Sequence, residues 1–356
     1  MAVTYHAGRR IQGLDSDRTA TQLPAGNVGG WVELGRTTLS SAGDNITVSS
    51  LPDKRYYMVL QDFVPDTYTA PRMRLGNGSA DTGSNYSDRR NENGGTDATR
   101  TSQTSMINTP EGGGNPQFIV SYIANLSGKE KLCMHHSVHR KNAGAANATG
   151  RGEVVSKWVN TSNPLDVVDI FNNDAGAGDF ASGSEVVVLG WDESDTHTNN
   201  FWEELASVTA DGTSTDMSSG TITAKKYLWI QLYQKGRAGD VRLRFNSDSG
   251  NNYNRRYSQN GAADGTDVST AHISNMIGIG TTPSFGNAFI INNQSNEKLV
   301  MGHHISQQTA GATTAPQRME FVAKWANTSN QITNVNILSS SGNFPSGSIL
   351  KVWGAD

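Results

Sequence analysis

The stretch "FIVSYIANLSGKEKLCMHH" (Phe118–His136) returns 167 positions later as "FGNAFIINNQSNEKLVMGH" (Phe285–His303). Each is a pair of β-rich runs around a polar turn, and turn residues such as Asn, Ser and Gly supply the break. Other blocks recur in the same order. "WVELGRTTL" (Trp31–Leu39) matches "WEELASVTA" (Trp202–Ala210), and "KRYYMVL" (Lys54–Leu60) matches "KKYLWIQ" (Lys225–Gln231). "KWVNTSN" (Lys157–Asn163) matches "KWANTSN" (Lys324–Asn330), and "SGSEVVVLG" (Ser182–Gly190) matches "SGSILKVWG" (Ser346–Gly354). A period this long is a whole domain, since solenoid units run to about 20–50 residues. The expected organisation is a repeat at 30–192, a linker at 193–200, a second repeat at 201–356, and an arm at 1–29 outside the repeat.

Within each copy the apolar runs are short and separated by turn residues. Several alternate apolar and polar positions, as "RLRF" (Arg242–Phe245) does; that period of two marks a sheet with one wet face. About eight strands are expected per copy, and helix is nearly absent. The fold class is therefore all-β: two tandem jelly-roll-like antiparallel β-sandwich domains from an internal duplication, with an extended N-terminal arm.

Composition agrees. The 356 residues include 38 glycines and only 17% charged residues, with a net charge of -4. No basic footprint for nucleic acid is present, no run approaches the ~18–20 apolar residues of a membrane span, and "MAVTYHAGRR" lacks the apolar core of a signal peptide. The expected protein is soluble and made in a cytoplasm. Its single cysteine, Cys133, rules out an intrachain disulfide. Cys133 aligns with Val300, so a buried, inert thiol is expected.

The candidate chemistries are few. Of the histidines in "CMHHSVHR" and "VMGHHIS", only His136 has a histidine counterpart, His303. Adjacent strand residues point to opposite faces, so His135 and His136 cannot chelate one ion together. A zinc site needs three or four converging ligands. No metal or cofactor is expected. No nucleophile elbow or P-loop motif occurs. The carboxylate pairs Glu33/Glu204, Glu130/Glu297 and Glu153/Glu320 stand in both copies, which suits framework positions better than one glycosidase site. The expectation is a protein that is not an enzyme.

Two loops stand out: "DTGSNYSDRRNENG" (Asp81–Gly94) and "DSGNNYNRRYSQNG" (Asp248–Gly261). Asp and Asn bond nearby backbone amides, and Gly supplies positive φ, so a turn leading into a hairpin is expected. Contact with a neighbouring subunit, an ion or a glycan is the alternative reading. The candidate contact residues are Asp81, Asn85, Tyr86, Arg89 and Arg90, with Asp248, Asn252, Tyr253, Arg255 and Arg256. In the arm they are Tyr5, Arg9 and Arg10. Of the recurrent tryptophans, Trp158/Trp325 and Trp31/Trp202, core packing is the first expectation.

The opening "TYHAGRRIQG", the two loops, the "KWxNTSN" strands and the endings at Ser182–Gly190 and Ser346–Gly354 resemble virion structural proteins of tailed viruses, notably marine ones. The resemblance covers nearly the whole chain. It implies a β-sandwich present in many copies on the virion, as a capsid-surface, tail or fibre component. It also implies that the partners are other copies of the chain and other virion proteins. Recognition of a host-surface glycan is the rival reading.

Overall fold

The computed structural model describes residues 30–110, 112–174, 179–192, 195, 200–236, 239–274 and 282–356. The expected arm, with Tyr5, Arg9 and Arg10, lies outside these residues, as do residues 193, 194 and 196–199 of the expected linker. The described residues are all β, with no helix.

The first half contains β1 (Val32–Thr38), β2 (Asn45–Val48), β3 (Tyr56–Phe63), β4 (Pro71–Asn77), β5 (Ser79–Ala80), β6 (Tyr86–Glu92) and β7 (Ala98–Gln103). It continues with β8 (Met106–Ile107), β9 (Gln117–Ala124), β10 (Lys131–His139), β11 (Gly150–Trp158), β12 (Val167–Asn172) and β13 (Glu185–Trp191). The second half contains β14 (Glu203–Thr209), β15 (Asp216–Ser218), β16 (Tyr227–Gln234), β17 (Val241–Phe245), β18 (Tyr253–Gln259) and β19 (Gly265–Thr270). It ends with β20 (Ile273–Ser274), β21 (Ser284–Ile291), β22 (Lys298–Ser306), β23 (Gln317–Trp325), β24 (Val335–Ser339) and β25 (Ile349–Ala355). The excess over the eight expected comes from the hairpins β6-β7 and β18-β19 and from the short strands β2, β5, β8, β15 and β20, whose two to four residues leave almost no periodic trace.

Each half is a sandwich of a large and a small antiparallel sheet. The large sheets have the orders β1-β13-β3-β9-β10-β11-β6-β7 and β14-β25-β16-β21-β22-β23-β18-β19. The small sheets have the orders β2-β12-β4-β5, with β8 on β4, and β15-β24-β17-β20. A bulge interrupts β1 between Glu33 and Gly35, and another interrupts β14 between Glu204 and Ala206. The hairpins after β6 and β18 turn through left-handed residues, Asn93-Gly94 and Asn260-Gly261, the residue pair such tight turns favour.

One core fills each sandwich. In the first, Tyr57, Val59 and Ile119 of the large sheet meet Ile46, Leu75 and Val168 of the small one. In the second, Leu228, Ile230 and Ile290 meet Leu243, Val335 and Ile337. A third apolar cluster lies between the two large sheets, where Met58, Leu60, Phe118 and Val138 meet Leu299, Met301, Val322 and Trp353. Four sheets are thus stacked, and the central strands are covered on both faces. That is why "YYMVL" in β3 and "VVVL" in β13 read as continuous apolar runs instead of alternating.

Candidate assembly interface

The two loops singled out in the sequence are framework first. Asp81 accepts hydrogen bonds from Gly83 N (2.8 Å), Asn85 Nδ2 (2.9 Å) and Trp158 Nε1 (2.8 Å). Asp248 repeats this with Gly250 N (2.8 Å), Asn252 Nδ2 (2.9 Å) and Trp325 Nε1 (2.7 Å). The Tyr86 hydroxyl sits on Leu75 O and Asp81 O, both at 2.9 Å, and Tyr253 makes the matching bonds to Phe245 O and Asp248 O. Burial opposes the charge of each aspartate, but these donors outweigh it and hold both carboxyls below the usual range.

The arginines behave differently in the two halves. Arg255 stays within its own sandwich, donating to Asp267 Oδ2 at 2.6 Å and to Ser274 O at 2.7 Å while stacking on Tyr257. Arg256 crosses to the first sandwich and donates to Thr149 O at 2.8 Å. Its counterpart Arg89 is exposed and lies 3.6 Å from Asp97 in its own hairpin. Arg90, the next residue, is half-buried on β6.

Arg256 belongs to a larger contact. The loop 140–149 of the first sandwich lies on the outer face of the second large sheet. Lys324 Nζ donates to Asn142 O (2.6 Å), Gly144 N to Glu297 Oε1 (2.7 Å), and Asn254 Nδ2 to Asn147 O (2.7 Å). Arg151 binds Asp264 through two hydrogen bonds of 2.6 and 3.2 Å, with both side chains nearly inaccessible. At the other end Lys226 lies 3.0 Å from Glu185, to which Tyr227 also donates at 2.7 Å. Between these polar ends sits the third apolar cluster. Breaking one side of a buried pair such as Arg151–Asp264 costs about 3–5 kcal/mol.

This contact is head to tail. Met134 lies between Tyr122 and Val155 in its sheet, and Met301 lies between Phe289 and Val322 in the other, so the two occupy the same register position. Met301 is 3% exposed and Met134 52%. Leu132 and Val155 are likewise exposed, while their counterparts Leu299 and Val322 are buried. On the opposite flank the pattern reverses. Phe118 and Val138 are buried in the contact at 1% and 0%, while Phe285 and Ile305 are 40% and 46% exposed. The C-terminal half of β10 is thus covered by the N-terminal half of β22, leaving the complementary halves bare.

On the first sandwich the bare half is a groove of about 940 Å³, lined among others by Tyr56, Leu132, Met134, Val155, Arg89 and Lys157. Tyr56 stacks on Trp191 at its rim, with ring centroids 5.4 Å apart. Trp31 is half-exposed there, whereas Trp158, Trp202 and Trp325 are buried as expected. The sequence reasoning missed this groove. Its one available signal was the outward pair Leu132 and Met134, apolar residues on a strand whose inward positions are Cys133 and His135.

The catalytic candidates sit in passive surroundings. His135 is buried with Nδ1 on the Ser121 hydroxyl (2.8 Å) and Nε2 on the Ser156 hydroxyl (2.7 Å). Cys133 is buried, and burial pushes its thiol up to about 12. His136, on the opposite face of β10, meets His303 across the contact.

No protein-family model matches the chain, and no curated protein matches it by sequence. The solved structures it is similar to include Neisserial surface protein A, at 6% identity and a TM-score of 0.10, over 81% of this chain and 99% of that one. Another is OpdQ of Pseudomonas aeruginosa, at 8% identity and a TM-score of 0.12, over 84% and 97%. A third is an acyl-CoA hydrolase of Agrobacterium tumefaciens, at 9% identity and a TM-score of 0.11, over 61% and 74%. Similarities this low carry no argument about fold or function.

Proposed function

We propose that this is a non-enzymatic structural protein of a virion, assembled in many copies, and that the contact between its two sandwiches is repeated between chains. The observation that carries the reading is the pair of unequal flanks. The groove of the first sandwich is the counterpart of the socket in which the second receives loop 140–149. Its occupant is then the second sandwich of another copy, presenting Phe285, Ile305 and loop 307–316. Such an interface is heterologous and propagates into a closed ring or an open filament, according to the rotation between sandwiches.

The finer fold reading supports this. Setting aside the inserted pairs β6-β7 and β10-β11 and the two-residue β5, the first sandwich has sheets β1-β13-β3-β9 and β2-β12-β4-β8. Numbering those eight strands in sequence gives 1-8-3-6 and 2-7-4-5, the order of a jelly roll. The second sandwich has the same order. We infer from this, and from the five recurrent sequence blocks, that the chain is an internal duplication of one jelly-roll domain. The virion assignment itself rests on the sequence resemblance. A second reading is a host-glycan module, favoured by the aromatic rim of Tyr56, Trp191 and Trp31.

Sedimentation velocity of the purified chain over a concentration series, with electron microscopy of the products, separates the two. A ring or filament that Met134→Glu reduces to a monomer is the expected result. A chain that stays monomeric at every concentration overturns the assembly reading, and retention of a specific glycan by that monomer establishes the other. A cryo-EM map of the particle then locates the chain on capsid, tail or fibre.

A further inference from the structure

The contact between the large sheets has a polar centre that neither core explains. His136 and His303 meet there edge to face, ring centroids 4.5 Å apart. Each faces a carboxylate across its own sheet, for Glu153 is the register partner of His136 and Glu320 that of His303. One ligating atom from each of His136, Glu153 and His303 lies within 4.8 Å of the others. These three residues and Glu320 line a cavity of about 10 Å³, the size of a single water-sized particle.

The side chains are poised as ligands. Both ring nitrogens of His135 are engaged by serines, but among the described residues no protein group hydrogen-bonds the ring nitrogens of His136 or His303. Glu153 and Glu320, one from each sheet, line the same small cavity as the two imidazoles. Arg151 donates to Glu153 Oε1 at 2.5 Å while Asp264 clamps its other edge, which fixes the carboxylate and leaves Oε2 for a ligand bond.

We propose that His136, His303 and Glu153 bind one divalent ion of the zinc type per chain, in a cavity that Glu320 also lines. Two imidazoles and carboxylate oxygens suit zinc, whose bonds of about 2.0–2.2 Å set donors roughly 3.3 Å apart in a tetrahedron; small side-chain rotations close the present spread. The ion would cross-link the two sandwiches at the middle of their interface. This inference concerns a single chain and stands whether or not chains assemble.

The test uses the full chain, stripped with EDTA and titrated with Zn²⁺ alone, with bound metal measured after gel filtration. One equivalent bound, a higher unfolding midpoint in Zn²⁺, and a tetrahedral cobalt spectrum after Co²⁺ substitution are expected. His303→Ala should weaken binding more than about 100-fold, beyond the 10–100-fold typical of residues behind the ligands. His303→Cys, which restores a ligand, should recover binding, and the adjacent His304→Ala should bind as the unaltered chain does. An unaltered chain that retains no Zn²⁺, or a folded His136→Ala/His303→Ala double variant that retains it fully, overturns the site. Should His303→Ala fail to fold, the cobalt spectrum of the unaltered chain decides, since a spectrum without nitrogen ligation excludes the histidines.

Discussion

Met134 and Met301 occupy the same position in two equivalent sheets, yet one is open to solvent and the other is sealed beneath the neighbouring sandwich. The same side chain therefore has two different energetic roles within one chain. Met301→Ala removes a buried side chain and should cost about 2–5 kcal/mol. Met134→Ala in the dilute monomer should stay within about 0.5 kcal/mol of the parent. Urea denaturation at low protein concentration measures both. Equal losses would mean that the two flanks are not covered as described.

The repeated contact makes a charge prediction. Arg151 and Asp264 are paired within the chain, and their counterparts Arg318 and Asp97 are both largely exposed and on opposite flanks. In the head-to-tail assembly Arg318 of one copy meets Asp97 of the next. Asp97→Arg alone and Arg318→Asp alone should each abolish self-association by placing like charges together. The double variant carries the swapped pair in every chain and should recover it. Sedimentation velocity reads all three, and failure of the double variant to recover would argue against this register.

How much of this could be read in the sequence follows from what each residue reports. The recurrent blocks and the period-two strands gave the all-β class and two similar halves, because both depend on local pattern. The turn at Asp81, Asn85 and Tyr86 was legible for the same reason, since its hydrogen bonds, those to Leu75 and Trp158 aside, join residues a few positions apart. The interface was not legible. Leu132 and Leu299, or Met134 and Met301, are identical residue types, so composition cannot say which one is covered. Arg89 and Arg256 pose the same problem, for only the rotation between the sandwiches decides which of them reaches a neighbour. His136 and His303 were singled out as counterparts, but their meeting across two sheets is a tertiary fact with no trace in spacing.

The Asp–Trp latch predicts an acid effect. Asp81 and Asp248 are held below the usual carboxylate range: burial opposes this, and the indole, amide and backbone donors prevail. A depressed folded value contributes stability that is full above the unfolded pKa of about 4 and is lost as pH falls through the folded value. The variants Asp81→Asn and Asp248→Asn should each lower stability at pH 7 by about 1–3 kcal/mol, since each replaces an acceptor of several donors. They should also flatten the decline below about pH 4. Denaturation midpoints from pH 7 to pH 2 measure the slope; an unchanged slope in the double variant would show that the latch is not what titrates.

A second acid window comes from the buried histidines. Burial, then the charge of His136, lowers His135 to about 3, and burial and the same neighbour lower His303 to about 3. The folded state therefore disfavours protonation that the unfolded chain accepts at about 6.5. Stability should be full above about pH 6.5 and fall as pH drops towards 3, each group contributing up to about 1.4 kcal/mol per pH unit in that range. Glu320, whose folded value is raised, works in the opposite sense and softens the decline. His303→Gln keeps a polar ring-sized group without the titration, so its stability should depend less steeply on pH between about 6.5 and 4. Calorimetry across that range measures this, and saturating Zn²⁺ should steepen the dependence for the unaltered chain only, because protons compete with the metal for the same nitrogens.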